Sequence, residues 1–217
     1  MGPDVQGGPI TGCLPLCPFP PLHWWAVALH GAPVDTSASY QKQTLRNRLV
    51  ISGPQGRQVI SFPIQHGDGD AKVPFLSAHQ APIHAWRTLE TAYGNSAFFE
   101  HFKDELFELW MTFLPQTDVD RKTLNDWNWA SIAWVCKQCN WPLPQRTEQA
   151  PSIGSVTHDL RIKPSLRGDG WTYHRYLQLF EPAHGFVGGC SVLDALFVLG
   201  PNALQSEIFQ LVSAPTS

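Results

Sequence analysis

No stretch of this 217-residue sequence approaches the roughly 18 uninterrupted apolar residues of a membrane helix, so no membrane partner is predicted. The opening Met1 to Leu16 has no positive region followed by an apolar one, which argues against a secretory signal. Met1-Gly2 does not begin a myristoylation signal either, because Gln6 stands where Ser or Thr is required. There is no excess of basic charge. Fifteen Lys and Arg stand against 18 Asp and Glu, for a formal net charge of −3, which argues against a dedicated nucleic-acid partner. The sequence also lacks a P-loop, a G-x-G-x-x-G after a strand and an H-E-x-x-H, so the expectation is no cofactor. A cytoplasmic location follows as the expectation.

Five cysteines are an odd number and, in a reducing compartment, no disulfide framework. Cys13 with Cys17 and Cys136 with Cys139 could in principle supply four thiolates to zinc. The first pair lies in a proline run and the second in a helical pattern, so buried structural cysteines are the better reading and no metal is expected. What the chain has in quantity is apolar and aromatic material: 43% hydrophobic residues, nine Trp and 12 Phe. That suffices for one sizeable core. Aromatic side chains also line sugar and nucleotide sites, but core filling is the commoner use. Nine histidines leave room for pH-dependent chemistry without demonstrating it.

Along the chain, residues 1–12 read as a flexible leader and 13–211 as one domain. Leu22 to His30 reads as a helix entered through Pro20-Pro21 and stopped by Gly31, and Pro33 to Ser39 as a short strand. Arg46 to Ser52 and Gln58 to Ile64 alternate around Gly53-Pro54-Gln55-Gly56, which predicts an antiparallel hairpin. A polar loop covers 66–70 and a further strand Val73 to Leu76. Helices are predicted over Ile83 to Tyr93, Ala97 to Phe113 and Asp118 to Asn140. Residues 141–170 read as a connection without structure of its own, and Tyr173 to Phe180 as a strand. Ser191 to Leu199 opens like a capping box with Asp194 in the acidic position, and another helix starts at Ala203 after Gly200-Pro201. The expected class is α+β: a single domain, a small mixed or antiparallel sheet and a mostly helical second half.

Three blocks carry a family resemblance. The first is Tyr40-Gln41-Lys42-Gln43-Thr44-Leu45-Arg46-Asn47-Arg48, running into the hairpin and Phe62-Pro63-Ile64. The second is Trp86 to Tyr93 with Phe98-Phe99 after it. The third is Tyr176-Leu177-Gln178-Leu179-Phe180, Gly185-Phe186, Ser191-Val192-Leu193-Asp194-Ala195-Leu196-Phe197 and Gly200-Pro201. Together they resemble the WbqC-like family of bacterial proteins over about residues 13–211. Leu16-Cys17-Pro18-Phe19-Pro20 departs from that family's opening, and 141–170 has no counterpart in it. The resemblance implies a link to O-antigen, other surface-polysaccharide or glycoconjugate biosynthesis. It also implies an aminoacyl or acyl transferase acting on an amino sugar, with a sugar or acyl donor as small-molecule partner. A non-catalytic glycan- or nucleotide-sugar-binding scaffold is the alternative, and a homo-oligomer or a biosynthetic protein partner stays open.

The residues suggest how such chemistry would be distributed. Arg46 and Arg48, two apart on the predicted strand, would share a face and could clamp a phosphate or carboxylate, beside Lys42 and Asn47. Their alternative is a solvated face or internal ion pairs. Arg87, Glu90 and Tyr93 fall on one helical stripe, with Glu90 the candidate general base and Arg87 its neighbour, or else an ordinary surface pair. Tyr40, Gln43, Tyr176 and Gln178 would make polar substrate contacts. A triad of Ser191, His184 and Asp194 is a poor reading without a nucleophile elbow, and Cys190 lacks a visible thiolate-stabilising partner.

Overall fold

A computed structural model of the chain describes residues 12–39, 44–65, 75–76, 81–112, 123–152, 155–156, 158–161 and 173–213. Strand β1 (Gly12–Pro15) leads through a proline-rich bend into helix α1 (Leu22–Ala28), whose N-cap Pro21 is held extended. Gly31, at φ 91°, turns the chain back into β2 (Val34–Asp35). A 3-10 turn over Leu45–Asn47 precedes β3 (Arg48–Gly53), which returns as β4 (Gly56–Ser61) across Pro54-Gln55. β5 (Ile64–Gln65) and β6 (Phe75–Leu76) make a second small antiparallel pair. Then come α2 (Ala81–Tyr93), α3 (Phe99–Thr112) and α4 (Leu124–Cys139). β7 (Arg146–Thr147), β8 (His158–Asp159), α5 (Glu181–His184) and α6 (Val192–Ser213) complete the chain.

Two helix ends show how locally the sequence specifies these elements. Thr123 accepts the Asp126 backbone N–H while the Asp126 carboxylate accepts the Thr123 backbone N–H, a reciprocal cap that fixes the start of α4. Asn140 closes α4 in the left-handed region at φ 53°. α6 breaks at Gly200, whose φ of 73° is available to glycine at no steric cost, and Pro201 starts the next helical stretch.

The sheet differs from the expectation. β7, β2, β1 and β8 lie side by side in that order, and every pairing is parallel. The antiparallel hairpin is a separate two-stranded sheet. A mixed or antiparallel single sheet is therefore corrected to a parallel four-stranded sheet plus hairpins, within a mixed α/β architecture with a helical C-terminal half. The cause is the brevity of β2, β7 and β8: two residues show no alternation, and their partners are remote, as in Val34 with Arg146. β7 and β8 both arise inside the connection read as structureless. Tyr173 to Phe180 is not a strand among the described residues. There the Gln178 amide takes the part of a strand partner, donating to Val187 O at 3.0 Å and accepting from Val187 N at 2.8 Å.

One apolar cluster links α1, the sheet, the hairpin and helices α2, α3, α4 and α6. Trp24, Trp25, Trp86, Trp110, Trp127, Trp134 and Trp141 are all buried in it, so the core reading of the aromatic residues holds for these seven. Phe19 sits at its centre in an unusual left-handed conformation, φ 41°. Ser131 Oγ accepts its N–H and Ser191 Oγ donates to its carbonyl, and its ring packs on Trp110, Trp127 and Trp134. A bulky residue rarely adopts this geometry unless its surroundings fix it.

Candidate functional site

Because the four strands run parallel, their carboxyl ends open on one side of the sheet, the side where open α/β sheets bind ligands. A cleft of about 590 Å³ lies there, within the range of small-molecule sites. Leu16, Thr36 and Glu148 each follow a strand end and line it, and Arg146 lines it from β7. Asn125 and Trp129, one helical turn apart on α4, supply the opposite wall. The Arg146 guanidinium stacks on the Trp129 ring, its Cζ 3.8 Å from the centroid.

The wall of this cleft is held from beneath by buried charge. Asp35 Oδ1, at the end of β2, accepts the backbone N–H groups of Ser37 and Ala38 at 3.0 and 3.1 Å and the Ser37 hydroxyl at 2.8 Å. Arg161, just past β8, donates to Asp35 Oδ2 at 3.0 Å and forks onto Asp159 with two 2.8 Å bonds. All three side chains are at most 5% exposed. Burial pushes the Asp35 carboxyl up, but hydrogen bonds from Ser37 and Arg161 outweigh it and hold the group below its usual value. Arg46 donates to the Ala38 carbonyl at 2.6 Å. Asn128 Nδ2 ties Arg46 O at 2.8 Å to Leu16 O at 3.3 Å. Asp35 and Arg46 thereby fix the chain after β2 from two sides, and Asn128 anchors the Arg46 backbone.

A second buried polar cluster lies where α2 and α6 meet the segment before α5. Asp194 is fully buried and accepts hydrogen bonds from the Tyr93 hydroxyl, the Tyr176 hydroxyl at 2.6 Å, Gln178 Nε2 at 2.9 Å and the Ser52 backbone N–H. Burial raises the Asp194 carboxyl, and these bonds offset that only in part. Burial and the Asp194 charge raise both tyrosines. Cys190 adjoins this cluster, and its thiol is likewise raised by burial and by Asp194, the opposite of what a thiolate nucleophile needs.

The predicted site residues distribute as follows. Tyr40, Lys42 and Gln43 lie outside the described residues. Arg46 sits in the 3-10 turn and Arg48 opens β3, so the two guanidinium groups do not share a strand face; this corrects the clamp geometry. Asn47 Nδ2 donates to Phe62 O at 3.0 Å, tying the turn to the end of the hairpin. Glu90 is ion-paired with Lys103 at 2.9 Å on the surface, and Arg87 is exposed. Tyr93, one turn further along α2, points inward to Asp194. The structure therefore brings Tyr93, Tyr176 and Gln178 together, and does not bring Arg46 or Glu90 to them. Ser191 is a helix cap, accepting from Leu193 N at 3.3 Å, whereas Asp194 does not return the bond and forms the buried cluster instead. His184 lies beside the Gly53 carbonyl at 2.9 Å, not beside Ser191. The cysteines are buried and free, with the Cys17, Cys136 and Cys139 thiols pushed up to about 12 by burial. No three His, Cys, Asp or Glu side chains converge as a metal site among the described residues. No helix among them is long and apolar enough to cross a membrane.

Sequence reasoning missed Asp35, Arg161, Trp129 and Arg146, and gave Asp159 no part in an ion cluster. Their signal is topological, since each lies near a strand end or on a facing helix, and none stands in a motif.

A model of the WbqC-like protein family matches residues 34–155. The chain belongs to that family. No curated protein and no solved structure matches it. The WbqC-like match begins at β2 and contains every cleft residue named above except Leu16. It includes the first two sequence blocks, whereas the third block and the Asp194 cluster's Tyr176 and Gln178 fall outside it.

Proposed function

We propose that this WbqC-like protein binds a sugar-containing small molecule in the carboxyl-edge cleft, in the building of a bacterial surface polysaccharide or related glycoconjugate. The observation that carries the reading is a cleft of about 590 Å³ at the sheet's carboxyl edge, with Trp129 and Asn125 on one wall, Thr36 and Glu148 on the other, and the Arg146 guanidinium stacked on the Trp129 ring. A pyranose offers one apolar C–H face to an aromatic ring and a rim of hydroxyls to amide, carboxylate and guanidinium groups. The seven buried tryptophans fill the core, whereas Trp129 is only half-buried and meets the cleft. Membership of the family supports the biosynthetic setting.

Calorimetric titration of nucleotide-sugars and free amino sugars tests it. One of them is expected to bind, and Trp129→Ala to weaken it by roughly tenfold or more, about 1.4 kcal/mol, with little change in melting temperature. Sugars that fail to bind, or that bind Trp129→Ala equally well, overturn the assignment.

One observation favours a catalytic form of the same reading, aminoacyl or acyl transfer onto an amino sugar. Such a transfer needs a base for the amine. Glu148 lines the cleft and is exposed with no ion pair among the described residues, whereas Glu90 is engaged by Lys103. Glu148→Gln would then abolish transfer while weakening sugar binding by no more than roughly tenfold, the share of one carboxylate hydrogen bond.

A further inference from the structure

The sequence paired Arg46 with Arg48, and the structure separates their circumstances. Arg46 is buried against the Ala38 carbonyl and within the field of Asp35. Arg48 differs. Its Nε is buried and has no hydrogen-bond partner, and no carboxylate forms an ion pair with it among the described residues. It lines a small recess with Pro18, Phe19, Pro21, Leu45, Gly189 and Ser191, none of which carries charge. Cys17 adjoins the recess, but its thiol is held neutral by burial and supplies no counter-charge. The Ser191 hydroxyl already donates to Phe19 O at 2.8 Å and accepts from Leu193 N at 3.3 Å. A guanidinium in an uncharged recess, with a buried donor aimed at nothing, is costly to keep and calls for an occupant.

From this geometry we propose that Arg48 and its recess form an oxyanion-binding site, taking one oxygen of a carboxylate or phosphoryl group. The recess has room for about one water-sized group. One oxygen of a larger anion therefore enters to meet Nε, while the rest of the anion stays outside against the partly exposed end of the guanidinium. Arginine suits this because its fork holds two oxygens of one planar or tetrahedral anion. The site shares no lining residue with the carboxyl-edge cleft, so it stands or falls independently of the sugar reading.

The test uses the full chain, isotopically labelled, with nuclear magnetic resonance of the arginine Nε–H groups. Sodium phosphate and sodium acetate are titrated separately at constant ionic strength. One Nε–H signal, identified as Arg48 by its loss in Arg48→Lys, is expected to shift saturably with at least one of the two anions. Stronger phosphate binding would mark a phosphoryl-bearing ligand, and stronger acetate binding a carboxylate. Calorimetry on Arg48→Gln, with circular dichroism confirming an intact fold, is expected to show affinity lowered roughly tenfold or more. If neither anion moves the Arg48 signal of the wild-type protein, the recess holds only water and the proposal fails. Equal binding to wild type and Arg48→Gln would also overturn it, as an adventitious ion only.

Discussion

Asp194→Ala is expected to destabilise the protein by about 3–5 kcal/mol, measured as the shift in denaturant midpoint at constant slope. The carboxylate accepts four donors at a fully buried position: Tyr93 Oη, Tyr176 Oη, Gln178 Nε2 and Ser52 N. Removing it strands the two tyrosine hydroxyls and the Ser52 N–H, leaves Gln178 Nε2 with its bond to Val187 O, and opens a cavity between α2, α6 and β3. Each buried donor left unsatisfied costs about 1–3 kcal/mol, though neighbouring losses are not additive. Tyr93→Phe and Tyr176→Phe each remove one donor and its bond, and about 1–2 kcal/mol apiece is expected. A loss for Asp194→Ala no larger than for either tyrosine variant would show the cluster to be loosely coupled. The pH dependence has a definite sign. The folded carboxyl titrates above its ordinary 3.8, so folding takes up a proton between the two values. Its stabilising contribution is complete below 3.8 and declines as pH rises through the raised folded value. Wild type should therefore lose stability relative to Asp194→Asn as pH increases across that window, and parallel curves would refute the shift.

How much of this could be read beforehand depends on the range over which each signal acts. α3 was legible because Phe99, Phe102, Leu106 and Trp110 repeat at helical spacing and are the residues it buries. The hairpin was legible because Gly53-Pro54-Gln55-Gly56 carries its own turn chemistry. Tyr93 is expected on a stripe with Arg87 and Glu90, and Tyr176 and Gln178 as substrate contacts, whereas the three meet at the buried Asp194 carboxylate. Asp194 stood only as a capping or triad residue, because nothing local distinguishes a buried acceptor of tyrosine hydroxyls from a helix-start carboxylate. The parallel sheet was not legible at all. Asp35 and Arg161 meet across 126 positions, and Asp159 beside Arg161 resembles any surface ion pair until β8 is placed next to β1. The cleft inherits that opacity, since Thr36 and Glu148 become neighbours only once Val34 pairs with Arg146.

Arg161→Ala should be comparably severe, about 3–5 kcal/mol, because it leaves the Asp35 and Asp159 carboxylates facing each other across β1 without a cation. The fork onto Asp159 and the third bond to Asp35 are geometric features of guanidinium, so Arg161→Lys should recover only part of the loss. A buried ion cluster need not itself be stabilising relative to apolar packing. Arg161→Met combined with Asp35→Asn and Asp159→Asn should therefore be less damaging than Arg161→Ala alone, because no unpaired charge remains. If the triple variant is instead the least stable, hydrogen bonding and not charge pairing dominates the cluster. The acid limb supplies a second check. Asp35 titrates below its ordinary 3.8, so its contribution is present above that value and lost as pH falls through the folded value. In Arg161→Ala that acid-induced loss should shrink, since the bond that helps hold the carboxylate ionised is gone. The same substitution reaches the cleft. Asp35 fixes Ser37 and Ala38 with one oxygen and holds Arg161 with the other, so in Arg161→Ala the repulsion between the Asp35 and Asp159 carboxylates pulls Asp35 away from the N–H groups that it pins after β2. Sugar affinity should consequently fall in Arg161→Ala even though Arg161 does not line the cleft. It should fall less in the triple variant, because the side-chain amide oxygen that Asp35→Asn leaves in place can still accept the Ser37 and Ala38 N–H groups.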